Sequence, residues 1–328
     1  MIVCPRLPPA TPGARLLGMG SQQPDKIVTN DDLARRVDTN DQWIRDRVGI
    51  QSRRIAEEGT LLVDMAMEAG TRAIKDAGLT PGELDTIIVA TCTMPTTIPN
   101  AAAQVAERIG IPAPGAFDVN AACAGFCYAL GAAADLVRAG SARRALIIGA
   151  EKLSDYLDWD DRSTSIIFGD GAGAVVIDAA PDAESVGIGP VAWGSAGDMA
   201  QAIRVLDNGK LHQEGQAVFR WATTKIAPVA LRAVELAGLT PADIDVFVPH
   251  QANLRIIEAV AKRLRAKGAR EDMRVADDIV HSGNTSSASV PLALDHMRAD
   301  GRLRSGDIVL LVGFGGGLSY AGQVVVCP

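Results

Sequence analysis

Three chemically capable side chains follow short apolar runs that read as buried strands. Cys123 lies in the segment NAACAGF, between one such run and an alanine-rich helix; His250 directly follows Val246–Pro249; Asn284 lies in HSGNTSSAS. A thiol at a helix start meets the helix dipole and unpaired amides, both of which favour the thiolate. The sequence therefore predicts that Cys123 is a nucleophile with a lowered pKa, close to His250 and Asn284.

Each of the three also has an ordinary structural interpretation. A cysteine is more often a small buried residue than a nucleophile, a histidine can be a hydrogen-bonded core residue, and an asparagine caps helices well. Cys127 lies one turn after Cys123 on the same helix, but no Cys/His cluster accompanies it, so we expect it in the core and predict no metal site. The placement of all three at repeated strand ends favours chemistry.

Two glycine-rich segments need separate interpretations. The stretch from Phe168 to Gly173, FGDGAG, has the spacing of a dinucleotide loop, but a strand-like run and not a helix follows it, so a phosphate site is not predicted. Residues 315–317 are all glycine and follow a buried run, which lets the backbone approach a ligand closely. An amide there can point at a thioester-derived oxyanion.

The elements that position these residues occur twice along the chain. The segment RAIKDAGLTPGELD from Arg72 matches RAVELAGLTPADID from Arg232 at eight of fourteen positions, and an apolar strand follows each. Both copies predict a helix, a glycine stop, a Thr-Pro restart and a strand. The repeat offset carries Ala90 onto His250 and carries Cys123 to or beside Asn284. Repeated helix–strand units predict two similar α/β halves with mostly parallel sheets, whose strand ends meet at a ligand site.

Length and composition exclude several classes of protein. The 328 residues, 48% of them hydrophobic, suffice for about two domains. A net charge of −7 with 4% aromatic residues argues against nucleic-acid binding. Five cysteines, an odd number, favour reduced thiols over a disulfide framework. The proline-rich start lacks the apolar segment of a signal peptide, and no apolar run reaches membrane-spanning length, so we expect a cytoplasmic protein.

Five separated motifs carry a resemblance to a known family. They are NAACAGF, FGDGAGA from Phe168, HQANLRI from His250, GNTSSASVP and GFGGGLSYAGQ. In this order, and from about Ala14 to the end of the chain, the sequence closely resembles β-ketoacyl-acyl-carrier-protein synthase III. The resemblance implies the thiolase-like fold, five αβαβα layers made of two duplicated halves, here residues 1–180 and 181–328, and a homodimer.

The resemblance also implies roles for particular residues. Cys123 resembles the acyl-accepting nucleophile, and His250 and Asn284 complete the family's triad. Gly316 and the Cys123 amide resemble its oxyanion hole. The other implied roles are coenzyme A binding by Trp43, Arg47 and Arg162, lining of the acyl tunnel by Ile98 and Phe314, and acyl-carrier-protein binding by Arg220, Arg255, Lys262 and Arg263.

The implied reaction starts from acyl-CoA and needs no cofactor. The acyl group passes to Cys123, malonyl-acyl carrier protein then loses carbon dioxide, and the resulting enolate attacks the acyl thioester to give 3-oxoacyl-acyl carrier protein. The starter acyl group stays open. Ile98 replaces a residue that is often aromatic and shortens the tunnel, which favours larger starters, whereas the segment Met199–Gly215, which covers the tunnel, is shorter than in many relatives.

Other functions remain possible at this level. A starter-unit ketosynthase or acyltransferase of a polyketide pathway would use similar residues. Acyl transfer to an alcohol or amine has no need of the decarboxylating amide of Asn284, and a biosynthetic thiolase would need a second catalytic cysteine that GFGGGLSYAG lacks. A non-catalytic thiolase-fold subunit would be free to lose Cys123, His250 and Asn284, all of which are present.

Overall fold

Two five-stranded sheets organise the structure, a computed structural model that describes residues 12–328. Cys4 and the proline-rich start, on which the expectation of no signal peptide rests, lie outside the described residues. The strands are β1 (Ala14–Gln22), β2 (Ile27–Thr29), β3 (Ser52–Arg54), β4 (Thr86–Ala90), β5 (Gly115–Val119), β6 (Arg144–Lys152), β7 (Asp170–Ala179), β8 (Ala192–Ser195), β9 (Ile203–Val205), β10 (Leu211–Gln213), β11 (Val246–Pro249), β12 (Arg274–Val275), β13 (Ile308–Phe314) and β14 (Ser319–Val326).

The helices alternate with these strands. They are α1 (Asn30–Ala34), α2 (Asp41–Val48), α3 (Leu62–Asp76), α4 (Ala101–Ile109), α5 (Gly125–Arg138), α6 (Arg162–Ser165), α7 (Gly215–Leu236), α8 (Leu254–Arg265), α9 (Ile279–Ser282) and α10 (Ser289–Ala299). Short 3-10 turns at Ala122–Ala124, Ser286–Ala288 and Gly316–Leu318 lie at the ends of the main elements.

The two large sheets have the same strand order and the same orientations. The first runs β5-β4-β6-β7-β1 and the second β12-β11-β13-β14-β8. In each sheet the first three strands are parallel and the last two pair antiparallel. Each strand therefore has a counterpart in the other sheet, and the predicted duplication is confirmed.

Helices separate and cover the sheets in five layers. Helices α3 and α4 pack on the outer face of the first sheet, α5 and α10 lie between the sheets, and α7 and α8 cover the second sheet. Three apolar clusters fill the spaces between these layers, and the central one joins residues of both halves. The predicted αβαβα architecture is confirmed.

The repeated Ala-Gly-Leu-Thr-Pro segments fold alike for local reasons. Helices α3 and α7 end next to Gly78 and Gly238, which have the positive φ angles of 69° and 72°. Thr80 and Thr240 then each start a 3-10 turn with a capping box, and a proline occupies the first position of the turn. The same residues thus stop one helix and aim the chain into the next strand in both halves.

The halves meet at two similar turns, before α5 and before α10. Ala122 and Ser286 have positive φ angles of 45° and 50°, and the side-chain oxygens of Asn120 and Asn284 accept their respective backbone N–H groups. The counterpart of Cys123 is therefore Ser287, and that of Asn284 is Asn120. The expectation that the repeat offset carries Cys123 to or beside Asn284 is wrong, because the second copy reaches its turn four residues later than the offset of the first motif.

All five strands of the first large sheet come from the first half of the chain, and all five of the second large sheet come from the second half. The first large sheet ends at Ala179 and the second begins at Ala192. The boundary at residue 180 lies in this connection and stays a prediction. Among the described residues, no helix is both long and apolar enough to cross a bilayer.

Candidate active site

One cavity of about 940 Å³ gathers most of the predicted site residues. It opens where the ends of strands from both sheets meet. Its lining includes the following residues, predicted from the sequence: Cys123, His250, Asn284, Gly316, Phe314, Trp43, Arg47, Arg162, Arg220 and Arg255. The proposed triad, the proposed oxyanion hole and the proposed coenzyme A contacts therefore share one space.

Cys123 sits in the 3-10 turn that leads into α5, with 9% of its surface exposed. Burial raises the pKa of its thiol to about 11, while the Ser286 hydroxyl and the amides of Gly316 and of Cys123 itself lower it. The prediction of a lowered pKa is wrong, because removing the thiolate from water outweighs these stabilising dipoles. The proton of Cys123 must therefore be taken up as the sulfur attacks.

The glycine run brings backbone amides against the nucleophile. A side chain at Gly315 would place its Cβ 2.5 Å from the Cβ of Cys123 and 2.7 Å from its Sγ, so only glycine fits there. The next amide, that of Gly316, lowers the pKa of the Cys123 thiol, although burial raises it more. This geometry puts two N–H groups, from Gly316 and Cys123, beside the sulfur where a thioester oxygen would develop charge.

His250 is held as a neutral ring with a defined tautomer. It is 1% exposed, and burial lowers its pKa to about 3. Its Nδ1 lies 2.7 Å from the Oγ of Ser289, which already accepts the Gln251 N–H at 3.3 Å. No other acceptor for the Ser289 proton is found in residues 12–328, so the hydroxyl donates to Nδ1. The ring then carries its own hydrogen on Nε2, facing the cavity, with the edge of Phe314 packed against it at 5.2 Å between centroids.

The side-chain amide of Asn284 is oriented to donate hydrogen bonds into the cavity. Its backbone forms a β-bridge with Phe168, through Asn284 N to Ile167 O at 2.9 Å and Gly169 N to Asn284 O at 3.0 Å. Its Oδ1 accepts the Ser286 N–H at 2.8 Å, which leaves the Nδ2 hydrogens for the cavity. In the FGDGAG segment, which the sequence excluded as a nucleotide loop, strand β7 begins at Asp170 and no helix follows; its Phe168–Gly169 part fixes the backbone of the asparagine.

The outer part of the cavity is basic and aromatic. Trp43 and Arg47 lie one turn apart on α2, and the guanidinium of Arg162 stacks over the Trp43 ring at 4.7 Å. On the opposite wall, Arg255 lies over the ring of Phe219 at 5.2 Å. These are the features of a site for a phosphorylated, planar group.

The segment Met199–Gly215 folds over the cavity as a hairpin. Strands β9 and β10 pair antiparallel, and the cavity lining takes Ile203, Arg204, Val205, Leu211 and Gln213 from them. The expectation that this segment covers the acyl tunnel stays a prediction.

Three predicted residues do not line the cavity of the single chain. The side chain of Ile98 points away from the described structure and is 85% exposed. Lys262 and Arg263 lie further along α8 than Arg255, on its surface. Their implied roles therefore require a partner: a second subunit for Ile98 and a docked protein for the two cations.

Sequence reasoning missed several residues around the triad. Glu151, Ser286 and Ser289 are fully or almost fully buried polar residues beside it; Cys92 and Tyr156 line the cavity. Ser286 and Ser289 belong to the motif GNTSSASVP, but neither was selected from it, whereas Glu151, Cys92 and Tyr156 belong to none of the five motifs. The serine-rich run TSSAS is the signal in the sequence that could have indicated Ser286 and Ser289, because buried hydroxyls near a nucleophile need hydrogen-bond partners. Among the described residues, no three His, Cys, Asp or Glu side chains are grouped to hold a metal ion.

Comparison with known proteins fits this geometry. Residues 117–197 match the model of 3-oxoacyl-[acyl-carrier-protein] synthase III, and residues 234–327 match that of its C-terminal part. The chain is 51% identical over 317 residues to β-ketoacyl-[acyl-carrier-protein] synthase III 2 of Streptomyces avermitilis, covering 96% of this chain and 99% of the relative. The chain belongs to this synthase III family.

Solved structures agree in fold. The priming β-ketosynthase of the R1128 polyketide pathway superposes with a TM-score of 0.93 at 41% identity, covering 98% of each chain. The synthase III of Aquifex aeolicus superposes with a TM-score of 0.91 at 38% identity, covering 96% of this chain and 100% of the other. The protein is an acyltransferase of the condensing type. The higher identity belongs to the synthase III of Streptomyces avermitilis, so a polyketide starter enzyme is not favoured.

Proposed function

We propose that this synthase III acylates Cys123 from acyl-CoA and extends the acyl group by decarboxylative condensation with malonyl-acyl carrier protein. The observation that carries the proposal is that Cys123, His250 and Asn284 line one cavity whose outer wall carries the Trp43–Arg162 stack. A nucleophile, two neutral donors and a cationic entrance are the groups that the two half-reactions need.

In the first half-reaction, the outer wall binds the nucleotide end of acyl-CoA. Arg47 and Arg162 supply positive charge for phosphates, and Trp43 supplies an aromatic face. The thioester then reaches Cys123, whose sulfur attacks while the amides of Gly316 and Cys123 stabilise the oxyanion. Coenzyme A leaves, and the acyl group remains on Cys123. Covalent capture divides a difficult condensation into two easier steps.

In the second half-reaction, His250 and Asn284 act as a pair of hydrogen-bond donors. Nε2–H of His250 and Nδ2–H of Asn284 face the cavity, where the malonyl thioester oxygen would lie. As carbon dioxide departs, negative charge moves onto that oxygen and the two donors stabilise it. A neutral histidine suits this role, because it donates without needing a protonated ring. The enolate carbon then attacks the acyl-Cys123 thioester.

The carrier protein would dock on the basic surface around the cavity entrance. Arg220 and Arg255 line the entrance, and Lys262 and Arg263 extend the positive charge along α8. The whole chain carries a net charge of −7, so this local concentration of cations favours an acidic partner. The pantetheine arm would enter the cavity by the route that acyl-CoA uses.

A homodimer would complete the acyl end of the site. Strand β5 is the edge strand of the first sheet, with an unpaired side. Phe117 on this strand is 39% exposed, and Ile98, which precedes α4, is 85% exposed. Pairing of two copies through this region would bury both residues and bring Ile98 to the partner's tunnel. Within one chain, Tyr156, Leu153 and Cys92 line the cavity.

We further propose a cytoplasmic location. The support is that the four cysteines of the described residues, Cys92, Cys123, Cys127 and Cys327, are free thiols. Unpaired cysteines of this number are typical of a reducing compartment. Acyl-CoA and malonyl-acyl carrier protein would have to be available in the same compartment.

The test is reconstitution of the complete reaction. The purified protein is incubated with a panel of acyl-CoAs and with malonyl-acyl carrier protein, and the mass of the carrier is measured. The proposal predicts a carrier that has lost carbon dioxide and gained one acyl group. Acyl transfer to the carrier without loss of carbon dioxide would instead support an acyltransferase, and no transfer from any acyl-CoA would support a non-catalytic subunit.

A further inference from the structure

A buried carboxylate beside the nucleophile has no part in the mechanism so far. Glu151 lies near the end of β6 and is completely buried. Its oxygens lie 2.5 Å from the Thr93 hydroxyl, 2.7 Å from that of Ser287, and 3.2 Å from that of Thr91. They also accept the Cys92 N–H at 3.2 Å. A buried carboxylate with this set of donors is costly to build and calls for a role.

Two of the hydroxyls are committed to this carboxylate. Thr93 Oγ1 accepts the Lys152 N–H at 2.9 Å, and Thr91 Oγ1 accepts the Thr93 N–H at 3.2 Å. Each hydroxyl proton therefore points at Glu151. These bonds fix the position of the carboxylate, while burial raises its pKa and so makes it a better proton acceptor than an exposed glutamate.

One hydroxyl connects the carboxylate to the nucleophile. Ser286 Oγ lies 3.2 Å from Glu151 Oε1 and 3.8 Å from Cys92 Sγ, and Ser286 lines the cavity together with Cys123, whose pKa its hydroxyl lowers. Ser286 belongs to the second half of the fold and Glu151 to the first, so the contact spans the interface between them. A hydroxyl between a thiol that donates and a carboxylate that accepts can take the proton of the thiol and give its own to the carboxylate.

The thiol needs such a route. Burial raises the pKa of the Cys123 thiol to about 11, which favours the protonated form at neutral pH. His250 cannot accept the proton at its cavity-facing nitrogen, since Nε2 already carries a hydrogen and Nδ1 is occupied by Ser289. Among the described residues, Glu151 is the carboxylate that a single hydroxyl separates from the sulfur.

We propose that Glu151 accepts the proton of Cys123 through Ser286 during acylation. The inference rests on the proposed function, in which Cys123 takes an acyl group. As Sγ bonds to the thioester carbon, its proton moves to Ser286 Oγ and the Ser286 proton moves to Glu151 Oε1. When the tetrahedral intermediate collapses, the carbon–sulfur bond to coenzyme A breaks and the proton returns through Ser286 to the departing thiolate. Protons and charge balance, and no further reactant is needed.

The titratable neighbours of Glu151 bear on the pH dependence. Cys92 follows β4, Cys123 precedes α5 and Tyr156 follows β6; burial raises the pKa of all three, and the charge of Glu151 raises it further. In residues 12–328 no Lys, Arg or His forms an ion pair with Glu151. The titration of Glu151 therefore depends on its burial and on its hydroxyl donors, and not on an ion pair.

The experiment measures the single-turnover rate of Cys123 acylation by acyl-CoA between pH 6.5 and 9 in the wild type, Glu151→Gln, Glu151→Asp and Ser286→Ala. General base catalysis contributes about 10²- to 10⁴-fold, so Glu151→Gln should load about a hundredfold or more slowly at neutral pH. Its rate should rise about tenfold per pH unit, because hydroxide must then generate the thiolate. Ser286→Ala should behave alike, and Glu151→Asp should restore a flatter profile.

Thr91→Val is the matched control, since it removes one hydrogen bond from the carboxylate and keeps the proton acceptor. Its profile should keep the wild-type shape. The proposal is overturned if Glu151→Gln loads at the wild-type rate, or if it loads slowly with an unchanged pH profile, which is the sign of a purely structural role. Failure of the wild type to load any acyl group would instead refute the proposed function, so the two failures are distinct.

Discussion

The hydrogen bond between Ser289 and His250 offers a sharp test of the decarboxylation site. Ser289→Ala removes the hydroxyl that donates to Nδ1 at 2.7 Å, within a fully buried environment. It leaves Nδ1 without a partner, and an unsatisfied buried polar group costs about 1–3 kcal/mol. If this cost is expressed in the transition state, where the Nε2–H donor must be held in place, decarboxylation falls by about 5- to 150-fold.

The assay follows carbon dioxide release from malonyl-acyl carrier protein, with acylation of Cys123 measured separately. Acylation should change much less, since His250 has no role in that step. Ser165→Ala is the matched control, because Ser165 is also a buried helical serine but its hydroxyl has no hydrogen-bond partner. In the wild type, the pKa of His250 is about 3, so decarboxylation should show no inflection near pH 6.5. Release of carbon dioxide by Ser289→Ala within twofold of the wild type would refute the tautomer assignment.

Three further predictions address the other parts of the site. Asn284→Asp replaces a donor amide by a carboxylate of nearly the same size, so carbon dioxide release should fall by about 10²- to 10³-fold while Cys123 is still acylated; equal losses in both steps would contradict the donor role. Arg255→Glu or Lys262→Glu should raise KM for the malonyl carrier more than KM for acyl-CoA, and the difference should shrink with added salt; an unchanged KM would make these residues ordinary surface cations. Ile98→Phe should shift kcat/KM from branched or medium acyl-CoAs towards acetyl-CoA, by about 10- to 200-fold at most per methylene lost; an unchanged preference would remove Ile98 from the tunnel.

Much of the fold was predictable because the sequence contains the same pattern of elements twice. The repeated helix, glycine, Thr-Pro and strand pattern predicts matching halves, and both sheets indeed have the same order. Strand ends are also where side chains can reach a ligand, so Cys123 and His250 could be selected from their positions alone. Asn284 was selected by adding the repeat offset to Cys123. In the structure the two matching turns are four residues further apart than this offset, and the counterpart of Asn284 is Asn120.

Contacts between residues far apart in the chain could not be predicted. Ser289 sets the tautomer of His250 and Ser286 reaches Glu151, but the residues of each pair are 39 and 135 positions apart. No periodicity or spacing marks such pairs, because the first depends on how two elements of the second half pack and the second on how the two halves meet. The pKa of Cys123 was predicted in the wrong direction for the same reason. The helix start is visible in the sequence, whereas the depth of burial is not.

The central claim is that Cys123 carries the acyl group, and intact-protein mass spectrometry tests it most directly. The wild type and Cys123→Ala are incubated with the same acyl-CoA in the absence of malonyl-acyl carrier protein, and the modified peptide is then identified. Cys123→Ala also controls for Cys92, whose thiol lines the same cavity. One added acyl mass is expected on the peptide of Cys123 in the wild type and none in the variant. An acyl group on Cys123→Ala at the wild-type rate, or on Cys92 in the wild type, would contradict it.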